Sequence, residues 1–180
     1  TIYKSEKAFL EIKANALLMG KRKLAVHLKE RIFDSSNTFS LEGTLSSLEA
    51  SELNPILEKN AYIFATSGKI DAMSFSFTAD NYRSRGKMIM LYHGLDIAVK
   101  NKQTDDTTAF RERFISYIAN RRIQDSNHVQ GEDVREGTID YIRDPERSVL
   151  HYCFRSILSG ITSTLADGNK KMEARLAGMK

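Results

Sequence analysis

Ile70-Asp-Ala-Met73-Ser-Phe75-Ser-Phe77-Thr-Ala79, followed after Asp80-Asn81 by Arg85-Gly-Lys-Met88-Ile-Met90-Leu-Tyr92, decides the fold class. In the first segment Met73, Phe75, Phe77 and Ala79 recur at every second position. That period is the signature of a strand with one buried face. Asp80-Asn81 is turn chemistry. The returning segment sets Met88, Met90 and Tyr92 on one face and Ile89 and Leu91 on the other. A strand apolar on both faces predicts cover on two sides, by protein or by ligand.

Working outward, the same period two runs through Ala8, Leu10, Ile12, Ala14, Ala16 and Leu18, with Glu11, Lys13 and Asn15 pointing the other way. Gly20-Lys21 supplies a turn, and Leu24, Val26 and Leu28 alternate against Lys23, His27 and Lys29. These runs predict a long hairpin. Asp34-Ser-Ser-Asn37 predicts a turn, and Phe39, Leu41 and Leu45 a third strand. A short helix is expected over 50–58, capped by Ser51 or Asn54 with Pro55 in its first turn. Gly68 is read as interrupting the strand that starts at Ile63, and Gly94 as breaking the return strand before Leu95, Ile97 and Val99.

After residue 103 the period lengthens. Asp105-Asp106 opens a helix whose apolar face carries Phe110, Phe114, Ile115, Tyr117 and Ile118. A short strand is expected over 138–142, ended by Asp144-Pro145. An amphipathic helix then runs over 146–165, with a stripe of Val149, Leu150, Cys153, Phe154, Ile157, Leu158, Ile161 and Leu165. Burial of that stripe does not outweigh the ordering of about twenty residues, so the helix has to dock on a sheet, a partner or a lipid surface. The fold class is therefore α+β, mainly antiparallel β. It is a long twisted or U-shaped sheet with two to three helices, the last amphipathic and packed on the sheet. Residues 1–103 form the sheet region, 104–166 a helix–strand–helix closing segment of the same domain, and 167–180 a charged tail.

Composition bounds the function. The 180 residues carry 27 basic and 23 acidic side chains, a net charge of +4. The excess sits in Lys21-Arg22-Lys23 and in a tail with Lys170, Lys171, Arg175 and Lys180, which reads as solvated surface with weak attraction to anionic headgroups. A nucleic-acid binder gathers such charge into a continuous patch, so no nucleic-acid partner is expected. The chain opens on Thr1 rather than Met, which suggests an excised or processed segment. Neither a signal peptide nor a membrane-spanning run is visible; the uncharged stretch 156–166 is shorter than the ~20 residues a span requires.

Chemistry-bearing patterns are missing. Gly-x-Ser-x-Gly, His-Glu-x-x-His and Cys-x-x-Cys do not occur, and the single Cys153 forms neither an internal disulfide nor a multi-cysteine metal site. No catalytic residue, metal ligand or cofactor is expected. His151 and Cys153, two apart on a helix, fall on different faces, so Cys153 reads as a small core residue. Asp140 and Asp144 flank Tyr141-Ile-Arg143; salt bridging to Arg143 and Arg147 is the simpler reading than a general acid/base pair. Met88 and Met90 with Phe75 and Phe77 could form a soft apolar lining suited to acyl chains, although core packing alone explains them and is the favoured reading.

Three segments in order, Leu53-Asn-Pro-Ile-Leu57, Ser67-Gly-Lys-Ile-Asp71 and Gly86-Lys-Met-Ile-Met-Leu-Tyr-His-Gly-Leu95, followed by Arg143-Asp-Pro-Glu-Arg-Ser148 and Phe154-Arg-Ser-Ile-Leu-Ser-Gly-Ile161, resemble the C-terminal part of the AsmA-like bacterial envelope proteins. The resemblance spans about residues 38–165; the first 37 residues match only as generic strands. It implies an elongated, groove-like β structure in the periplasm, anchored to the inner membrane by an upstream segment. It also implies a non-catalytic role in phospholipid transport or outer-membrane assembly, with a phospholipid or other acyl-chain ligand and envelope proteins as partners. Candidate lipid-facing residues are Leu10, Ile12, Leu24, Val26, Leu28, Phe39, Leu41, Phe75, Phe77, Met88 and Met90. Leu150, Phe154, Ile157, Leu158 and Ile161 are the docking positions of the last helix. The alternative is a structural or protein-interaction module of the envelope with a closed core and no lipid.

Overall fold

The computed structural model describes residues 8–18, 20, 22–61, 63–99, 126–127 and 134–166. Six strands, β1 (Phe9–Leu18), β2 (Arg22–Arg31), β3 (Phe39–Glu49), β4 (Ile63–Ala79), β5 (Arg83–Val99) and β6 (Glu136–Ile142), form one open antiparallel sheet in sequence order. Two helices, α1 (Asn54–Ala61) and α2 (Val149–Ala166), accompany them, so the protein is mostly β. The helix expected after residue 105 and the charged tail from 167 lie outside the described residues. The chain divides into two compact units, one of residues 1–46, 72–90 and 136–164, the other of 47–71, 91–135 and 165–180.

In the first unit the hairpin forms where the alternation placed it. β1 and β2 pair over ten positions, from Phe9↔Arg31 to Leu18↔Arg22. Gly20 adopts φ +72 in the connection, a left-handed conformation that an L side chain resists. Asp34 organises the next turn: its carboxylate accepts the backbone N–H groups of Ser36 (3.0 Å) and Thr38 (3.2 Å). Those bonds, with the Thr38 hydroxyl first, hold the Asp34 carboxyl below its ordinary value. Asn81 in the β4–β5 turn ties the two turns together, its amide donating to the Ser35 carbonyl (3.1 Å) and its oxygen accepting from Asn37 (2.9 Å).

The core of this unit lies between α2 and one face of the sheet. Phe39 meets Tyr152 of α2 edge-on at 6.2 Å and Phe77 at 6.4 Å. Glycines set how near the layers come. A Cβ on Gly137 of β6 would lie 2.1 Å from the Thr164 hydroxyl and 2.6 Å from the Gly160 carbonyl oxygen; one on Gly160 would lie 2.7 Å from Ile139. The helix therefore rests backbone against backbone on β6. Its Ser159 and Ser163 hydroxyls accept the N–H groups of Asp140 (3.1 Å) and Thr138 (2.9 Å), closing the strand's outer edge. The inward face of α2 carries Tyr152, Ser156, Ser159, Gly160 and Thr164, all buried, rather than the expected apolar stripe. Of that stripe Leu158 and Leu165 are buried, while Leu150 is 81% exposed. Small and hydroxylated side chains suit a close approach to backbone; large apolar ones prevent it.

In the second unit two expectations change. Neither Gly68 nor Gly94 ends a strand: β4 and β5 each run on for 17 residues. Both glycines take positive φ, +105 and +60, and a Cβ on Gly68 would lie 2.5 Å from the Leu95 Cα. Burial changes phase across them, from Ile63 and Ala65 to Ile70, and from Tyr92 to Leu95, as one extra residue in a strand requires. The helix also starts differently. A 3-10 turn over Ala50–Leu53 precedes α1, and Asn54, expected as a cap, instead pairs both ways with Ala65 (2.8 and 3.0 Å). Asn127 does the same with Arg135 (2.9 and 3.1 Å). In the first unit a further expectation changes: β5 is not covered on both faces there, since Ile89 is exposed.

Gly137→Ala is expected to lower stability by about 1–3 kcal/mol, the usual cost of overpacking, because the Gly160 carbonyl in its way is helix backbone and the Thr164 hydroxyl is held by a hydrogen bond to that carbonyl. Chemical denaturation of the two proteins checks this; equal midpoints would contradict the contact.

Candidate apolar binding face

Cross-strand partners share a face of a sheet, so the register assigns every candidate of the hairpin. One face carries the rows Leu10–Glu30–Phe39, Ile12–Leu28–Leu41, Ala14–Val26–Gly43 and Ala16–Leu24–Leu45. The other carries Glu11–Lys29–Ser40, Lys13–His27–Glu42 and Asn15–Ala25–Thr44. The apolar candidates of β1, β2 and β3 thus line up as one surface. Its charges are Glu30, at the end near Phe39, and Arg22, opposite Leu18 at the other end.

Burial grades along those rows. Leu10 and Ile12 are 43% and 47% exposed, Leu24, Val26 and Leu28 half-buried, and Phe39, Leu41 and Leu45 buried. Phe75 and Phe77 stack at 6.3 Å, and the Phe75 ring occupies the place of a Gly43 side chain, where a Cβ would stand 2.3 Å from its tip. Met88 touches the Gly160 position of α2 and is buried, as is Met90. The candidates therefore fall into two sets. Phe39, Leu41, Phe75, Phe77, Met88 and Met90 are core, whereas Leu10, Ile12, Leu24, Val26 and Leu28 continue the same surface to where solvent reaches it.

No family model matches the chain, and no curated protein or solved structure matches it either.

The opposite face is polar. A shallow hollow of about 460 Å³ lies at the Ala14–Val26–Gly43 row, with Phe75 and the flanking Lys13, His27 and Glu42 also in its lining. Beside it, Glu11 accepts from His27 Nε2 (2.6 Å) and Lys13 Nζ (3.3 Å). The His27 bond first, then Lys13, holds the Glu11 carboxyl below its ordinary value. Sequence reasoning did not single out this group.

The weighed chemical groups take structural positions. Asp140 is gripped by two guanidinium nitrogens of Arg83, Nε and Nη2, across the β5–β6 pair, which lowers its pKa, while Asp144 faces Arg147 at 3.8 Å. The expected bridge to Arg147 is present; the partner of Asp140 is Arg83. Burial pushes the Cys153 thiol up to about 11, the protonated state of a packing residue, and the Tyr152 hydroxyl up to about 12. His151 Nε2 accepts from Arg155 Nε (3.3 Å). Among the described residues no three carboxylate, histidine or cysteine groups cluster to hold a metal, and no helix is long and apolar enough to cross a membrane.

The clearest pH signature belongs to His151. Burial first, then the charge of Arg155, lowers its pKa below the ordinary 6.5. The unfolded chain takes up the proton first, so stability is complete above 6.5 and falls as pH drops through that value. Thermal unfolding between pH 7 and 5 is expected to show a steeper loss for the native chain than for His151→Gln; equal slopes would contradict the assignment.

Proposed function

We propose that the chain is a non-catalytic part of an AsmA-like envelope protein that carries phospholipid acyl chains on the apolar face of β1 and β2 in the periplasm. The observation that carries the proposal is a surface that is apolar by register, passes from the core at Leu41 through Leu28 to Ile12, and remains exposed at Ile12 and Leu10. A hydrocarbon chain laid along these rows removes that area from water at about 25 cal/mol per Å², and its headgroup stays in solvent. Glu30 limits the stretch at one end, since a carboxylate beside an acyl chain costs desolvation. The amphipathic character of α2 supports the same reading. Phe154, Ile157 and Ile161 are half-buried and Leu150 is exposed, which leaves apolar area for a lipid surface or an envelope partner. The ordered motifs from Leu53 to Ile161 resemble the family in which such transport, or outer-membrane assembly, takes place.

A second reading, an envelope interaction module with a closed core, draws on the burial of Phe75, Phe77, Met88 and Met90. On that reading the hairpin face meets protein rather than lipid.

Lipid extraction of the purified chain, followed by exchange of a fluorescent phospholipid from vesicles, distinguishes the two. The transport reading expects co-purified phospholipid and an exchange rate reduced at least tenfold by Val26→Asp, with little change from Ala25→Asp on the opposite face. Absence of both bound and exchangeable lipid in the native chain would favour the interaction module.

A further inference from the structure

The sheet has two ends, and they are treated differently. At β6 the hydroxyls of Ser159 and Ser163 occupy the outward N–H groups. At β1 no described strand or side chain does so, and the strand is exposed from Phe9 to Leu17. The hydrogen-bond parity of this edge is fixed. Ile32 donates to the Ala8 carbonyl (2.9 Å), so even-numbered residues of β1 turn their backbone groups towards β2. Alternation then sends the N–H and C=O groups of Phe9, Glu11, Lys13 and Asn15 outward. A ten-residue strand with such an edge is a template for another strand.

We propose that β1 pairs antiparallel with β1 of a second copy of this chain, about a two-fold axis at Ile12. A two-fold axis between identical strands sets each residue against its own reflection, so the charges choose the register. An axis at Glu11 opposes Glu11 to itself, and one at Lys13 opposes Lys13 to itself; like charges directly opposite destabilise a strand pair. An axis at Ala14 sets Glu11 against Leu17. The axis at Ile12 sets Glu11 against the partner's Lys13, and Lys13 against the partner's Glu11. It also sets Phe9 against Asn15. These odd-numbered pairs are the ones whose backbone groups face outward, which gives about eight main-chain hydrogen bonds. Leu10, Ile12 and Ala14 then meet Ala14, Ile12 and Leu10 of the second copy on the apolar face, so the exposed rows of two chains become one surface. The pairing stands whether or not that surface carries lipid.

Two measurements test it. Sedimentation equilibrium is expected to give a concentration-dependent mass rising towards twice the 20.4 kDa of the chain. Glu11→Lys, which opposes lysines at both charged pairs, is expected to weaken association roughly tenfold or more, and the swap Glu11→Lys with Lys13→Glu to restore it. In a Cys153→Ala background, Ile12→Cys places two thiols across the axis at a separation a disulfide spans. Diamide, which accepts the two electrons and two protons released, is expected to convert it into a covalent dimer, while Leu10→Cys stays monomeric. A monomer mass at the highest soluble concentration, or cross-linking of Leu10→Cys as efficient as that of Ile12→Cys, would overturn the proposal.

Discussion

Contact between α2 and β6 governs this molecule's first unit, and two missing side chains permit it. Gly137 and Gly160 let helix backbone meet strand backbone, and the gap that remains is the width of a hydroxyl. Serines fill it at Ser159 and Ser163, where they also satisfy amides that the sheet leaves unpaired at its edge. A wider helix face would lift α2 away and expose Met88, Ile139 and the ring cluster of Phe39, Phe77 and Tyr152. Buried polar pairs follow from the same closeness: the Ser84 and Ser156 hydroxyls lie 2.7 Å apart, each wholly enclosed. Such groups are tolerated inside because each has a hydrogen-bond partner.

The consequence is a gradient across one face of the sheet. From β4 to β6 the face is covered and its large side chains interlock. Through β3 it is still buried, and over β2 and β1 cover thins until Leu10 and Ile12 meet water. Alternation continues unchanged along the gradient, so nothing in the hairpin sequence marks where cover ends. What changes is side-chain size. Phe39, Phe75 and Phe77 give way to Ala14, Ala16, Leu24 and Val26, residues that fill less space and leave room for something outside the chain. That shift connects the core to the proposed acyl-chain surface and leaves a shallow hollow at the Ala14–Val26–Gly43 row.

Strands were legible in the sequence wherever the period of two was kept. At Met73–Ala79 one-sided burial forces it, whereas at Leu10–Leu18 the same alternation stands on a strand exposed along its length. Legibility failed where glycine did two opposite jobs. Gly68 and Gly94 looked like breaks but bend a continuing strand, and a phase change of burial is invisible until it is known which face is covered. It also failed on α2. Ranking residues by apolarity selected Leu150, Phe154 and Ile161, whereas the sheet selected Ser156, Ser159, Gly160 and Thr164. The spacing of those small residues at three and four was present to be read, but only the demand of an open strand edge gives it meaning. Of the candidate face, register and alternation supplied the membership; the division into core and exposed sets needed the position of the helix.

The account stands or falls on whether the exposed end of that face meets hydrocarbon. An environment-sensitive fluorophore such as acrylodan, attached at Ile12→Cys in a Cys153→Ala background, reads this directly when phospholipid vesicles are added. The account predicts a blue shift at position 12 and none for the same probe at Asn15→Cys, three residues along on the polar face. An unchanged spectrum at position 12, or equal shifts at both positions, would contradict it.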